Sequence, residues 1–316
     1  MSGVRRDVVV AGRVCIDLYP MQSGTRLEDV TSFSKSIGGS ATNVAVAAAR
    51  HGLGVTMLTR TGDDPFGRYV TEEYERFGID ARHVTAVPGI PSVLTFCEMF
   101  PPDDFPLYIW RNPTAPDMFL DIADLPLTDI AGAAVYWSTA TGLSREPTRA
   151  AHVAAWEARG RVAGTVLDLD YRPMFWDSAA DAAAAIGPAL DFVTVAIGNA
   201  DECEVAIGER EPDRAADALL DRGVELAIVK RGPRGVLAKT TDERIEVPPL
   251  PVDVINGLGA GDAFGGALCL GLVEGWPLAE TLRFANAAGA IVATRHECST
   301  AMPTTAEVTS FLEARS

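Results

Sequence analysis

The run NGLGAGDAFGG occupies residues 256–266, and its glycines at 257, 259 and 261 permit a tight turn directly before a helix that begins near Ala260. Such a turn aims unpaired backbone N–H groups and the positive end of the helix dipole at one point, the geometry of a phosphoryl-binding site. Asp262 falls in the first helical turn, where a carboxylate is favoured, and beside a phosphate it could orient a hydroxyl and accept its proton. A plain helix start with an acidic cap has the same sequence pattern. A second run, IGGSATN at 37–43, sets Gly38–Gly39 and Asn43 at the opening of another helix, which suits hydrogen bonding to polyhydroxyl ligands. Ser40, Thr42 or Asn43 could also act there as ordinary N-caps. Asn199 and Glu202 lie three residues apart on one helix face, fitted either to a water-ligated Mg2+ or to a capping box. DLDYRP at 168–173 follows a strand, and Arg172 could pair with a carboxylate or phosphate there, or with an acidic neighbour.

These segments need a frame. DVVVAG at 7–12 is a β-branched run stopped by glycine, the pattern of a buried parallel strand. Helices are expected over 42–51 and 64–77, with a strand over 55–61 between them. From residue 133 the alternation is regular. Strands over 133–137, 162–167, 192–196 and 226–230 are separated by helices over 147–159, 179–190 and 213–222. A hairpin over 236–247 and helices over 260–274 and 278–294 complete the chain. Strands alternating with helices of this length imply βαβ units and a mainly parallel sheet. The segments 14–20 and 91–111, rich in Val, Phe, Tyr, Leu and Trp with proline punctuation, read instead as short exposed strands. The economical architecture is one α/β domain over 1–316 with a small β excursion built from two separate pieces.

Composition narrows the partners. Lys plus Arg is 27 and Asp plus Glu is 43, a formal net charge of −16. A surface that acidic repels phosphate backbones and anionic lipid, so neither nucleic acid nor membrane is expected as a partner. No uncharged stretch exceeds 15 residues, too few to span a bilayer. Arg5 and Arg6 precede an apolar run that ends at Gly12–Arg13, too short for a signal-peptide core. Cys15, Cys97, Cys203, Cys269 and Cys298 are odd in number and scattered, without a CxxC pair. A reduced, cytoplasmic protein is the expectation.

In this order along the chain, IGGSATNVAVAAARHG, Asn199–Glu202, KRGPRG at 230–235 and NGLGAGDAFGGAL resemble the ribokinase-like (PfkB) family of carbohydrate kinases. The resemblance implies a three-layer sandwich around a mainly parallel sheet, with a small β-sheet lid from about 13–35 and 92–117. GRVCIDLYP, PPDDFPLY and TAPD, together with DLDYRP, are similar to the subgroup that phosphorylates the 6-hydroxyl of 5-dehydro-2-deoxy-D-gluconate in myo-inositol breakdown. By resemblance Asp262 is the base, and the N–H groups of Gly259, Ala260 and Gly261 stabilise the transferred phosphoryl group. Asn199 and Glu202 organise Mg2+ through water. Asn199, Lys230, Gly232, Gly235, Gly259, Gly261 and Asn286 lie along the nucleotide, ATP.

The resemblance further implies that Asp17, Gly38, Gly39 and Asn43 hold substrate hydroxyls and that Arg111 and Arg172 meet the carboxylate, with Arg13 a third candidate. Lids of this family often pair, so the resemblance implies a homodimer, for which Phe105, Leu107, Ile109 and Trp110 either serve or pack on the main domain. Asn256 stands where many members carry Asp, which leaves a monovalent-cation requirement open. Other readings are a kinase of 2-keto-3-deoxygluconate, fructose or ribose, and a non-catalytic sugar-binding regulator. A dinucleotide-binding dehydrogenase is disfavoured because GRVCID follows the first strand where GxGxxG would be needed.

Overall fold

The computed structural model describes residues 7–315; Arg5 and Arg6 lie outside them. Along the chain run β1 (Val8–Ala11), β2 (Cys15–Pro20), β3 (Phe33–Gly38), α1 (Ser40–Arg50), β4 (Val55–Gly62), α2 (Pro65–Arg76), β5 (Asp80–Val87), β6 (Leu94–Cys97) and β7 (Leu107–Trp110). Then follow α3 (Leu127–Gly132), β8 (Val135–Thr139), α4 (Thr148–Arg159), β9 (Thr165–Asp168), α5 (Ala179–Ala189), β10 (Val195–Asn199), α6 (Ala200–Ile207), α7 (Pro212–Asp221) and β11 (Leu226–Lys230). The hairpin β12 (Val236–Lys239) and β13 (Arg244–Val247) leads to α8 (Ala260–Glu274), α9 (Leu278–Ala293) and α10 (Thr305–Glu313).

Nine strands form one sheet in the order β13-β12-β11-β10-β9-β8-β1-β4-β5. All its pairings are parallel except the two that add the hairpin. Side chains along a strand alternate between faces, so the buried run of β1 must serve two cores. Val8 and Val10 join a cluster with residues of α1, α2, α8, α9 and α10, whereas Val9 and Ala11 join one with α3 to α7. That division is the expected three-layer sandwich.

The second sheet has the order β3-β2-β6-β7. Its strands come from the two excursions that the proline-punctuated aromatic segments mark. Asp168, Asn199 and Lys230 are the last residues of β9, β10 and β11, and Arg13 lies just beyond β1. Open parallel sheets bind ligands at this carboxyl edge. Among the described residues no helix is long and apolar enough to cross a membrane. All five cysteines are free and buried.

Candidate functional site

Helix α8 starts at Ala260 behind Gly259, whose φ of 80° is left-handed and where a Cβ would stand 2.8 Å from Cys298 Sγ. Only glycine fits that corner. No side chain caps α8, so the first-turn N–H groups have no intrahelical partner and no cap. Asp262 is the third residue of the helix, and its Oδ2 accepts from Asn43 Nδ2 at 2.8 Å. That bond ties the first turn of α8 to the first turn of α1.

Helix α1 is also uncapped: its N-cap is Gly39, at φ 99°. The expected N-capping by Ser40, Thr42 or Asn43 is therefore not what these side chains do. Ser40 donates to Asp170, Thr42 to the carbonyl of Arg13, and Asn43 to Asp262. Ser40 and Asn43, which a helix start would ordinarily use for itself, line the site, and Thr42 instead ties α1 to the backbone beyond β1. Gly38 is required by a neighbour, because a Cβ there would lie 1.9 Å from Asp17 Oδ2.

The space between α1, α8 and the small sheet is a cleft. Arg13, Asp17, Gly39, Asn43, Arg172 and Asp262 line it. Its other wall is one face of the small sheet: Cys15, Asp17 and Tyr19 of β2, Thr95 and Cys97 of β6, Leu107 and Ile109 of β7. Asp17 is buried and accepts from Tyr19 Oη at 3.0 Å and Cys15 Sγ at 3.2 Å. Burial raises its pKa, with those hydrogen bonds opposing. Burial likewise raises Asp262, the Asn43 hydrogen bond pulling the other way.

Beside this cleft lies a cluster of opposite charges. Lys230 Nζ is 3.8 Å from Asp168 Oδ1 and 3.9 Å from Glu202 Oε2, and 3.4 Å from where a Cβ on Gly261 would stand. Its ammonium therefore reaches the anion-binding turn from β11. Burial disfavours its charge, but Asp168 and Glu202 outweigh that and raise its pKa. Asp168 is pushed up to about 7 by burial, which the neighbouring Lys230 only partly relieves. Asp170 sits at about 2, because Arg172 and Arg13 outweigh its burial.

Asn199 and Glu202 form a complete capping box on α6: Glu202 N donates to Asn199 Oδ1 at 3.0 Å, and Asn199 N to Glu202 Oε2 at 2.7 Å. Among the described residues no group of three or more His, Cys, Asp or Glu side chains is arranged to cage a metal ion. The carboxylates of Asp168 and Glu202 around Lys230 fit a Mg2+ ion that keeps its waters and borrows phosphate oxygens, the usual habit of that ion.

The remaining nucleotide-side candidates fall on a separate groove. Asn286 Nδ2 donates to the carbonyl of Pro248 at 2.9 Å. Gly235, at φ 83°, backs onto the same segment, where a Cβ would meet Val247 O at 2.0 Å. Asn286 and Val247–Pro248 line this groove together with Leu250 and Arg283. Gly232 opens the turn between β11 and β12. Arg111 does not line the cleft: its guanidinium stacks 4.2 Å from the centre of the Phe175 ring and donates to Asp117 Oδ2 at 3.4 Å.

On the small sheet, Leu107 and Ile109 face the cleft and Phe105 packs against Gly257, so of the four residues considered for an interface only Trp110, 67% exposed, points outward. Asn256 is wholly buried, donates to the carbonyl of His296 at 2.8 Å and accepts from Leu258 N at 3.0 Å. Its amide needs both a donor and an acceptor, which Asp would not supply. Sequence reasoning missed Tyr19, Thr95, Cys97, Phe175 and Cys298. The alternation of Cys15, Asp17 and Tyr19 along one strand face was the available signal for the first.

The family model described as pfkB family carbohydrate kinase matches residues 5–305. A 5-dehydro-2-deoxygluconokinase of Geobacillus thermodenitrificans strain NG80-2 is 31% identical over 314 residues, covering 97% of this chain and 93% of that protein. A fructokinase of Vibrio cholerae O395, solved with fructose, ADP and calcium ion, superposes with a TM-score of 0.85 at 25% identity, over 97% of this chain and 98% of that one. A fructokinase of Xylella fastidiosa with bound ATP superposes with a TM-score of 0.85 at 22% identity, over 98% of this chain and 99% of that one, a likeness of fold.

Proposed function

Because this chain belongs to the pfkB family of carbohydrate kinases, we propose that it transfers the γ-phosphoryl group of ATP to the 6-hydroxyl of 5-dehydro-2-deoxy-D-gluconate, a step of myo-inositol breakdown. The observation that supports the reading most is the cleft itself, which puts Asp262 at an uncapped helix N-terminus together with guanidinium groups. Arg172 is paired with Asp170 at 3.0 Å, whereas Arg13 lies 3.6 Å from it, and a sugar carboxylate would give these cations a further partner that a neutral sugar lacks.

Asp262, held by Asn43, takes the proton of the attacking hydroxyl, whose oxygen bonds to the γ-phosphorus as the bond to ADP breaks. The N–H groups of Gly259, Ala260 and Gly261 meet charge on the transferred group, with Lys230 reaching the same turn. Glu202 and Asn199, with Asp168 adjacent, would hold Mg2+ through water, and the ion would supply positive charge to the phosphates. The adenosine end lies along Gly232, Gly235 and Asn286. Asp17, Gly38, Gly39 and Asn43 hold sugar hydroxyls, and Arg172 meets the carboxylate. The small sheet acts as a lid that excludes water, which otherwise competes for the phosphoryl group. Its outer face joins two copies, and unpaired buried thiols and the use of ATP suit a cytoplasmic setting.

The test is ATP consumption with Mg2+ on 5-dehydro-2-deoxygluconate, 2-keto-3-deoxygluconate, fructose and ribose, with Asp262→Asn as control. Turnover is expected to be highest on the first compound and to fall ~10²–10⁴-fold in the variant. Preference for fructose or ribose would end the sugar-acid reading while leaving a kinase, and retained activity in Asp262→Asn would remove the base.

A further inference from the structure

We propose that Arg13 is the residue that reads the negative charge of the sugar, a specificity determinant that rests on the sugar-acid reading above. Arg13 follows Gly12 directly at the carboxyl end of β1 and is 9% exposed, yet its guanidinium lines the cleft that holds Asp262. Its Nε is buried with no hydrogen-bond partner among the described residues. Its ion pair with Asp170 Oδ2 is 3.6 Å long, beyond a hydrogen bond. A buried guanidinium with unfilled donors is costly unless something arrives to fill them.

The surroundings hold the group in place without using its N–H groups. Its Cζ lies 5.7 Å from the centre of the Phe175 ring, the ring on which Arg111 also stacks. Asp170 is already engaged by Arg172 at 3.0 Å and by Ser40. One carboxylate thus stands between two guanidinium groups, and Arg111 has its own partner in Asp117. Asp17 and Asp262 also line the cleft, but they are hydrogen-bonded by Cys15, Tyr19 and Asn43 rather than by Arg13, whose donors a monocarboxylate can fill. The planar fork of an arginine matches a carboxylate with two parallel hydrogen bonds. Arg172, 40% exposed, forms the outer side of the same clamp.

The experiment compares calorimetric binding of 5-dehydro-2-deoxygluconate with that of its neutral carboxamide, on the full chain and on Arg13→Met, Arg13→Lys and Arg111→Met. The unaltered protein should prefer the acid. Arg13→Met should weaken acid binding by about 10- to 100-fold, the range of a charge-assisted pair, and leave carboxamide binding nearly unchanged. Arg13→Lys keeps the charge without the fork and should still lose part of the preference, which preserves the test if the methionine variant does not fold. Arg111→Met should keep the preference. An undiminished acid preference in the folded Arg13 variants overturns the assignment alone. Equal binding of acid and carboxamide by the unaltered protein overturns the sugar-acid reading and this assignment together.

Discussion

The amide of Asn43 donates to Asp262, and that bond favours the charged carboxylate against the burial that raises its pKa. Removing the amide leaves burial less opposed, so in Asn43→Ala the pKa of the proposed base should rise further. The acid limb of the pH profile of kcat/KM should then move to higher pH than in the unaltered protein; a shift to lower pH, or none, would contradict the geometry. A second residue-scale expectation concerns stability. His152 is 1% exposed, neither ring nitrogen has a hydrogen-bond partner among the described residues, and burial lowers its pKa to about 4. His51 is lowered to about 4 by burial and by Arg50. An unfolded histidine titrates near 6.5, so the unfolded chain binds the extra protons first as pH falls. The contribution of these histidines is therefore full above about pH 6.5 and declines towards pH 4, by up to about 3 kcal/mol for one as buried as His152, while Asp168, raised to about 7, acts in the opposite sense. His152→Leu should flatten the fall in Tm between pH 7 and pH 5, with His51 still contributing. An unflattened fall would show that His152 is not buried as the neutral form.

At the scale of elements, the parallel core was readable because β1 and β11 carry near-continuous buried aliphatic runs, β8 opens on a buried Val-Tyr-Trp run, and the strands alternate with Ala-rich or amphipathic helices. Strands β3 and β5 were not. FSKSIG carries three consecutive polar residues, Ser34, Lys35 and Ser36, which break the apolar alternation, and DARHVTAV is a sheet-edge strand with no fully buried run. Helix α10 is short with one buried residue, Val308, so periodicity has little to report. The two glycine runs were legible as turns, but what they exclude was not: Asp17 against Gly38 and Cys298 against Gly259 are contacts between residues distant in the chain or on neighbouring strands. Likewise Phe175, which gathers Arg13 and Arg111, sits in a short 3₁₀ turn with no sequence signal. The junction of β3 with α1 yields an element-scale prediction. In Gly38→Ala the new methyl must displace the Asp17 carboxylate, so sugar affinity should fall at least ~10-fold, about the weight of one misplaced charged hydrogen bond. ATP binding on the groove around Asn286 should be retained, and calorimetry with each ligand separates the two. Loss of both would mean a global rather than a local disturbance.

At the scale of the whole molecule, the small sheet has two faces with different tasks. One face, with Asp17 and Tyr19, looks into the cleft; pleating turns the alternate residues outward. There Leu94 is registered with Trp110, and Phe96 with Tyr108 and Leu18, while Phe33 meets Phe96 edge to face at 5.7 Å. Trp110 is 67% and Tyr108 49% exposed, an apolar surface that a lone chain leaves in water. The proposed homodimer covers it. Each copy carries −16, so association must overcome repulsion between like charges. Salt screens that repulsion over about 10 Å at 0.1 M, whereas the apolar contact is strengthened or untouched by it. The dimer should therefore tighten as NaCl rises from 20 to ~200 mM, about the range in which screening becomes short, the opposite of an interface held by ion pairs. Sedimentation velocity across that range reads the effect directly. Trp110→Asp should give a monomer at every salt concentration while keeping its fold, because the substituted side chain faces outward. A monomer from the unaltered chain at all concentrations would remove the dimer, and a dimer that loosens with salt would place the interface on charged surface elsewhere.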